Sequence, residues 1–338
     1  MIRILNTNFD LEAELQPIYM EWVRRYYRAD SFTIKVPLNE YAINSNYVLF
    51  NNRVGVITKV VEYKDFLQIS GKEYGFAVNK RIVNPDTQTG AGETLQKYYV
   101  TANCITPTTR KILNLGVESD QGRGIEITLP ARYQDLEELL VEIYQRTGLG
   151  WCINYDSGTF TFTTIEGLDR TTSQSTNPRA IFAEEYGNLE EVVVIDSLDG
   201  YYNVVYMGGQ GTGAGRTVEE VGTASQNERF ELFADAKNLT TTAQLQDKGN
   251  EILNEYGEEY QMKGTFRSTD SITYETDFNL GDIVTIKHGD YILDLRLVEV
   301  KQVIDTQETY NFKFGKEPNT INNALNKRLN LMNSEVRI

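Results

Sequence analysis

Residues 120–182 read DQGRGIEITLPARYQDLEELLVEIYQRTGLGWCINYDSGTFTFTTIEGLDRTTSQSTNPRAIF, and their changing periodicity decides the fold. Gly124 to Leu129 reads as a short strand, with Ile125, Ile127 and Leu129 alternating to one face. The period then becomes helical. Leu136, Leu139, Leu140 and Ile143 stand at i, i+3, i+4 and i+7, and Asp135, Glu137 and Glu138 crowd the first turn, where the helix dipole favours negative charge. Arg146 falls in the last turn and Gly148 is the C′ stop. Trp151 to Tyr155 and Thr159 to Thr163 then flank Asp156-Ser157-Gly158, read as a three-residue turn. One helix therefore covers one small sheet.

Outward from this unit the chain is mostly strands. On the N-terminal side Ser31 to Val36 alternates Phe32, Ile34 and Val36, and Tyr47 to Phe50 with Val54 to Ile57 form a hairpin about Asn51-Asn52. Asp65 to Gly71 is a further strand, with a short helix or turn around Gly75 to Asn79. Such closely spaced strands suit a small barrel or sandwich. Asn84 to Gly92 is a loop by composition, and Glu93 to Cys104 a helix with Leu95, Tyr98 and Tyr99 on one face. Asp169 to Pro178, rich in Thr, Ser and Asn, reads as an exposed connector.

On the C-terminal side Leu189 to Asp196 and Tyr201 to Tyr206 read as a hairpin closed by Ser197 to Gly200. The glycine-rich stretch Gly208 to Arg216 follows, then a helix over Ala243 to Tyr256 interrupted by Gly249 at some cost in propensity. Three strands, Asp282 to Lys287, Tyr291 to Gln302 and Thr309 to Phe314, precede a terminal helix over Thr320 to Met332 striped by Ile321, Leu325, Leu329 and Met332. The run from Arg53 to Glu73 echoes that from Arg296 to Glu317: strand, polar bend, alternating strand, Gly-Lys-Glu. Two similar hairpins or a duplicated barrel both produce such an echo.

The 338 residues carry 33 Lys and Arg against 48 Asp and Glu, a formal charge of −15. Such a surface repels nucleic acid. The N-terminus has no basic region followed by an apolar core, so no secretory signal is read and synthesis in the cytoplasm is expected. No stretch approaches the roughly 18 apolar residues of a membrane span. Cys104 and Cys152 are the two cysteines and read as buried apolar residues rather than a disulfide or metal site.

Catalytic chemistry finds little to use. His288 is the single histidine, and in Lys287-His288-Gly289-Asp290 it reads as exposed turn decoration, not a triad base. Glu184-Glu185, Glu190-Glu191, Glu219-Glu220 and Glu258-Glu259 are the carboxylate pairs a glycosidase would need, yet neighbours on a strand point to opposite faces. Gly208 to Gly215 lacks the Gly-Lys-Ser/Thr ending of a phosphate loop and reads as a connection between strands. Tyr26-Tyr27, Tyr98-Tyr99 and Tyr201-Tyr202 could stack on sugars, although paired tyrosines ordinarily divide between core and interface. No catalytic, cofactor-binding or metal residue is therefore assigned.

The run Asp120-Gln-Gly-Arg-Gly, the segment Ala131-Arg-Tyr-Gln-Asp-Leu, Gly148-Leu-Gly-Trp and Asn177-Pro-Arg-Ala-Ile-Phe, with Met1-Ile-Arg-Ile and Val205-Tyr-Met-Gly-Gly-Gln-Gly further out, resemble the siphophage tail-tip and baseplate hub proteins. These include the siphovirus Gp37-like tail proteins, the hub region of tail-associated lysins and the T-even phage baseplate hub. The resemblance implies a β-rich α+β fold with two related barrel-like domains and a central α+β unit. It divides the chain into a first β-barrel-like domain (1–88), a central α+β domain (89–179), a second β-barrel-like domain with an inserted helix (180–317) and a helical tail (318–338). It implies a structural, non-enzymatic virion protein of the tail tip, a homotrimer matching a six-fold tube to a three-fold tip. Its implied partners are the distal tail ring, tail tube and tape measure proteins and a tip fibre or spike, with DNA passing through the channel unbound. A tail-associated cell-wall-degrading enzyme or a host-surface receptor-binding module is the alternative.

Overall fold

A computed structural model describes residues 1–38, 46–198, 200–237, 239–257, 259–266 and 272–315. The protein is a β-rich α+β fold, as the sequence implies. Its first strands are β1 (Ile2–Leu5), β2 (Leu11–Leu15), β3 (Tyr19–Arg25), β4 (Ser31–Pro37), β5 (Tyr47–Phe50), β6 (Arg53–Glu62) and β7 (Phe66–Glu73), followed by helix α1 (Gly75–Asn79). Alternation works as expected here: Phe32, Ile34 and Val36 of β4 and Leu67 and Ile69 of β7 join Ile2, Ile4, Met20 and Trp22 in one core. Asn51 supplies the positive φ of the β5–β6 turn, at 52°.

The central elements are β8 (Asp86–Ala91), α2 (Gly92–Val100), β9 (Leu115–Val117), β10 (Glu126–Ala131), α3 (Leu136–Thr147), β11 (Gly150–Asp156) and β12 (Thr159–Ile165). Leu136, Leu139, Leu140 and Ile143 of α3 are fully buried, and Gly148 ends the helix at φ 74°. Three local readings are corrected. Asn84 to Gly92 is not all loop: β8 pairs along its length with β10, with Thr89 Oγ1 2.8 Å from Thr128 Oγ1, because a partner strand overrides a polar composition. Ile125 precedes β10 and is exposed, leaving Ile127 and Leu129 as the buried pair. The β11–β12 turn has two residues, Ser157 and Gly158, both at positive φ, since Asp156 already pairs with Thr159.

The remaining elements are β13 (Ile181–Ala183), β14 (Glu190–Ser197), β15 (Val204–Gly208), β16 (Val218–Val221), β17 (Glu231–Asp235), α4 (Thr242–Glu255), β18 (Glu259–Phe266), β19 (Ile283–His288), β20 (Tyr291–Ile304) and β21 (Glu308–Gly315). The expected hairpin of Leu189–Asp196 with Tyr201–Tyr206 does not form. β14 pairs with β18, while β15 lies between β16 and β17; chain proximity had suggested a partner that a distant strand supplies instead.

The largest sheet contains the same strand order twice. One block runs β3-β4-β7-β6-β5-β1 and the other β14-β18-β21-β20-β19-β13. Substituting β13, β14, β18, β19, β20 and β21 in chain order for β1, β3, β4, β5, β6 and β7 converts one into the other. The two echoing segments are the hairpins β6–β7 and β20–β21, turning at residues 63–65 and 305–307, each with a register shift in its first strand. The blocks join where β20 pairs antiparallel with β3. They differ at one end, where β1 is antiparallel to β5 but β13 is parallel to β19.

By contacts, Met1–Val193 with Lys263–Phe314 form one compact unit and Val194–Met262 lie in a second. In the second, α4 covers the three-stranded sheet over Val205, Met207, Val221 and Ala234. Thr241 and Gln244 close its N-terminus as a capping box, and Gly249 is explained by close packing, since a Cβ there would lie 2.5 Å from Val221. The predicted terminal helix over Thr320 to Met332 lies outside the described residues.

Candidate functional site

A closely packed, hydrogen-bonded place in the first unit surrounds Tyr26, between β3 and β4. Its side chain is fully buried and its hydroxyl reaches the carbonyls of Gly148 (3.0 Å), Ile165 (2.9 Å) and Glu166 (2.9 Å). The Arg296 guanidinium of β20 donates to the same hydroxyl at 3.2 Å, reaches the Glu166 carbonyl at 2.9 Å and lies 5.2 Å from the ring centroid. Glycines let the backbone approach: a Cβ at Gly150 would sit 2.2 Å from the Tyr26 carbonyl, and one at Gly281 would sit 2.3 Å from its ring. Thus both blocks and the central sheet meet on one phenol. Alongside, Asp282 accepts from Arg170 at 2.6 Å, from the Leu168 amide at 2.7 Å and from the Asn279 amide at 2.9 Å. The Asp169–Pro178 segment is therefore anchored, with Arg170 and Thr171 buried, not a wholly exposed connector.

The chemical candidates are scattered. His288 ends β19, half-buried, with Nδ1 3.1 Å from a Glu184 carboxylate oxygen, rather than lying free in the turn. Glu219 bonds Gln246 at 2.7 Å, while Glu220 pairs with Arg229 at 2.8 Å; the Arg229 guanidinium holds the Glu220 carboxyl below the usual range. Glu258 lies outside the described residues. Burial pushes the thiol of Cys104 up to about 11 and that of Cys152 up to about 12, so neither is primed as a nucleophile. Among the described residues no three His, Cys, Asp or Glu side chains converge as metal ligands would, and no helix is long and apolar enough to cross a membrane.

The glycine-rich stretch is a β15–β16 connection folded onto Arg216. That guanidinium donates to the carbonyls of Gly208 at 2.7 Å and Gly209 at 3.0 Å, pairs with Asp235 at 2.8 Å, and packs 5.4 Å from the Phe233 ring centroid. A phosphate loop presents N–H groups at a helix start; this one presents carbonyls to an internal cation.

Residues 1–316 match the protein family described as Siphovirus ReqiPepy6 Gp37-like protein. The chain belongs to this family. The resemblance read from the sequence is thereby borne out. No curated protein sequence matches. Among solved structures the chain is similar to a tail protein from Neisseria meningitidis, at 13% identity and a TM-score of 0.62 over 94% of this chain and 95% of that one. It is similar to prophage tail protein gp18 from Listeria monocytogenes, at 11% and 0.60 over 98% and 99%. It also matches the 43 kDa tail protein of prophage MuSo2 from Shewanella oneidensis, at 10% and 0.60 over 94% and 99%. The fold is that of phage tail proteins.

Within this Gp37-like chain, two of the segments that carried the resemblance hold buried contacts. Gly148-Leu-Gly-Trp encloses Tyr26. Arg123 of Asp120-Gln-Gly-Arg-Gly grips the buried Glu93 carboxylate through Nε at 3.0 Å, Nη2 at 2.8 Å and its amide at 2.9 Å, and Lys97 closes the other side. Tyr26, Tyr99 and Tyr202 turn into cores or ring contacts, whereas Tyr98 is partly exposed and bonds Asp86. Arg296, Arg170 and Asp282 were missed; the glycines at 148, 150, 167 and 281 were the available signal.

Proposed function

We propose that this protein is a structural component of the siphophage tail tip: a homotrimeric, non-enzymatic hub that terminates the tail tube. The duplicated strand order carries this reading. Three chains with two related blocks each present six similar units, which suits a six-fold tube on one face and a three-fold tip on the other. In this reading the barrel-like divisions at 1–88 and 180–317 are the tube-facing units, 89–179 braces them, and 318–338 is a tail for assembly. The partners are the distal tail ring, tail tube and tape measure proteins and a tip fibre or spike. An acidic channel lining lets DNA pass without sticking.

Light scattering of the purified full chain, followed by electron microscopy of the same fraction, tests the proposal. The expected particle has the mass of three 38.5 kDa chains and a central hole. A compact monomer that cleaves host cell wall overturns it.

A further inference from the structure

In this acidic chain, one neighbourhood of the central region gathers cations that form no ion pair among the described residues. Residues Arg81 to Asn84 run between two other segments. On one side the Ile82 backbone bridges to Asp135, and the Val83 amide and carbonyl bond the Gln134 carbonyl and the Tyr133 amide, each at 2.9 Å. On the other, Arg81 Nε donates to the Arg110 carbonyl at 3.2 Å, and Arg110 donates to the Ile82 carbonyl and to Asn84 Oδ1. Lys80, Arg81, Arg110, Lys111 and Arg132 are thereby brought to one neighbourhood, and among the described residues none forms an ion pair. Two carboxylates lie close: Asp135, beside Ile82, and Asp86, whose oxygens already accept from Tyr98 and Gln88.

The same surface exposes apolar groups. Ile82 is 46% accessible and Tyr133 60%. Tyr133 is also held at φ 51°, a left-handed conformation that a bulky side chain adopts only when its surroundings impose it. Here the bond from its amide to Val83 fixes it. Exposed aromatic and aliphatic anchors beside arginines are the composition of a protein interface core. A phosphate polymer would use the cations and leave Ile82 and Tyr133 in water.

We infer that this basic, apolar surface docks the acidic surface of a second copy of the same chain. The partner is argued from charge. With a net −15 and these five cations concentrated here, the rest of the chain is more acidic still. Copies brought side by side repel unless a basic face meets an acidic one. Such a contact is head-to-tail, the kind that closes a ring. The inference rests on the homotrimer reading.

The test uses the full chain and the double variant Lys111→Glu/Arg132→Glu, whose positions are exposed, so that folding is retained; a thermal melt superimposable on that of the parent verifies this. Light scattering against concentration at about 50 mM NaCl should show the variant dissociating at roughly tenfold higher concentration, and raising salt to about 500 mM should weaken the parent more than the variant. Carbodiimide cross-linking of mixed light and heavy-isotope chains should give mixed-isotope links from Lys80 or Lys111 to carboxylates. Equal association of a folded variant, or same-isotope links alone, overturns the docking face while leaving a trimer standing. A parent that is monomeric at every concentration overturns the docking face in the free chain, and electron microscopy of tail tips then decides the hub reading separately. Salt-sensitive binding of a short DNA duplex, lost in the variant while self-association is unchanged, overturns it in favour of a polyanion.

Discussion

The two blocks share a strand order yet treat one connection oppositely. In the first, β3 passes to β4 through residues 26–30, and that short crossing carries Tyr26. In the second, β14 passes to β18 through residues 198–258, which hold β15, β16, β17 and α4. The same hairpin end thus serves once as an internal clamp and once as the base of an insertion. The comparison teaches that the conserved quantity between the blocks is the order of pairing, while the loop ends are free to acquire separate tasks.

If the Tyr26 clamp is what makes the first crossing intolerant, its surroundings should show the largest losses. Asp282→Asn leaves the buried Arg170 cation without its charge partner and is expected to cost about 4 kcal/mol in urea unfolding. Gly281→Ala, which places a methyl group against the Tyr26 ring at φ 98°, should cost about 3 kcal/mol. Gly289→Ala, also at positive φ but with open space around it, should cost about 1 kcal/mol. Similar costs for the two glycine variants would show that the clamp is unimportant.

Two buried glutamates sharpen the contrast by pH. The Arg123 guanidinium holds the Glu93 carboxyl well below the usual range, so its contribution is complete above the unfolded value, about 4.3, and is lost as pH falls towards the folded one. Glu93→Gln should therefore cost about 2 kcal/mol at neutral pH and less in acid. Burial pushes the Glu73 carboxyl the other way. Its stabilising share is present below the unfolded value and disappears as pH rises through the folded one. Glu73→Gln is expected to stabilise at alkaline pH and to be neutral at about pH 4, by about 1 kcal/mol at most; denaturant midpoints across pH check both signs.

The smallest effect belongs to the insertion. Thr241→Ala removes the α4 cap and should lower protection of α4 amides from hydrogen exchange by about 1 kcal/mol. Exchange in β6 and β7 should be unchanged.

Much of this was legible in the sequence wherever a segment's partner is close along the chain. The α3 stripe, the Gly148 stop, the alternation of β4 and β7 and the echo of β6–β7 in β20–β21 all follow from local periodicity. What escaped depends on distant partners. β8 looks like a loop until β10 pairs with it, β14 looks like half of a hairpin until β18 claims it, and no spacing rule brings Arg296 to Tyr26 or Asp282 to Arg170. The cationic neighbourhood was equally hidden, because Lys80, Lys111 and Arg132 come from three separate segments that only the tertiary fold assembles.

The join between β20 and β3 has one more consequence. Two such strand blocks on separate chains would meet at a rate and extent set by how much of each the cell makes. Linked in one polypeptide, they face each other at an effective concentration on the order of millimolar or above, whatever the dilution. The halves are thus produced in strict one-to-one stoichiometry, and a single particle released into an effectively infinite volume keeps that seam closed.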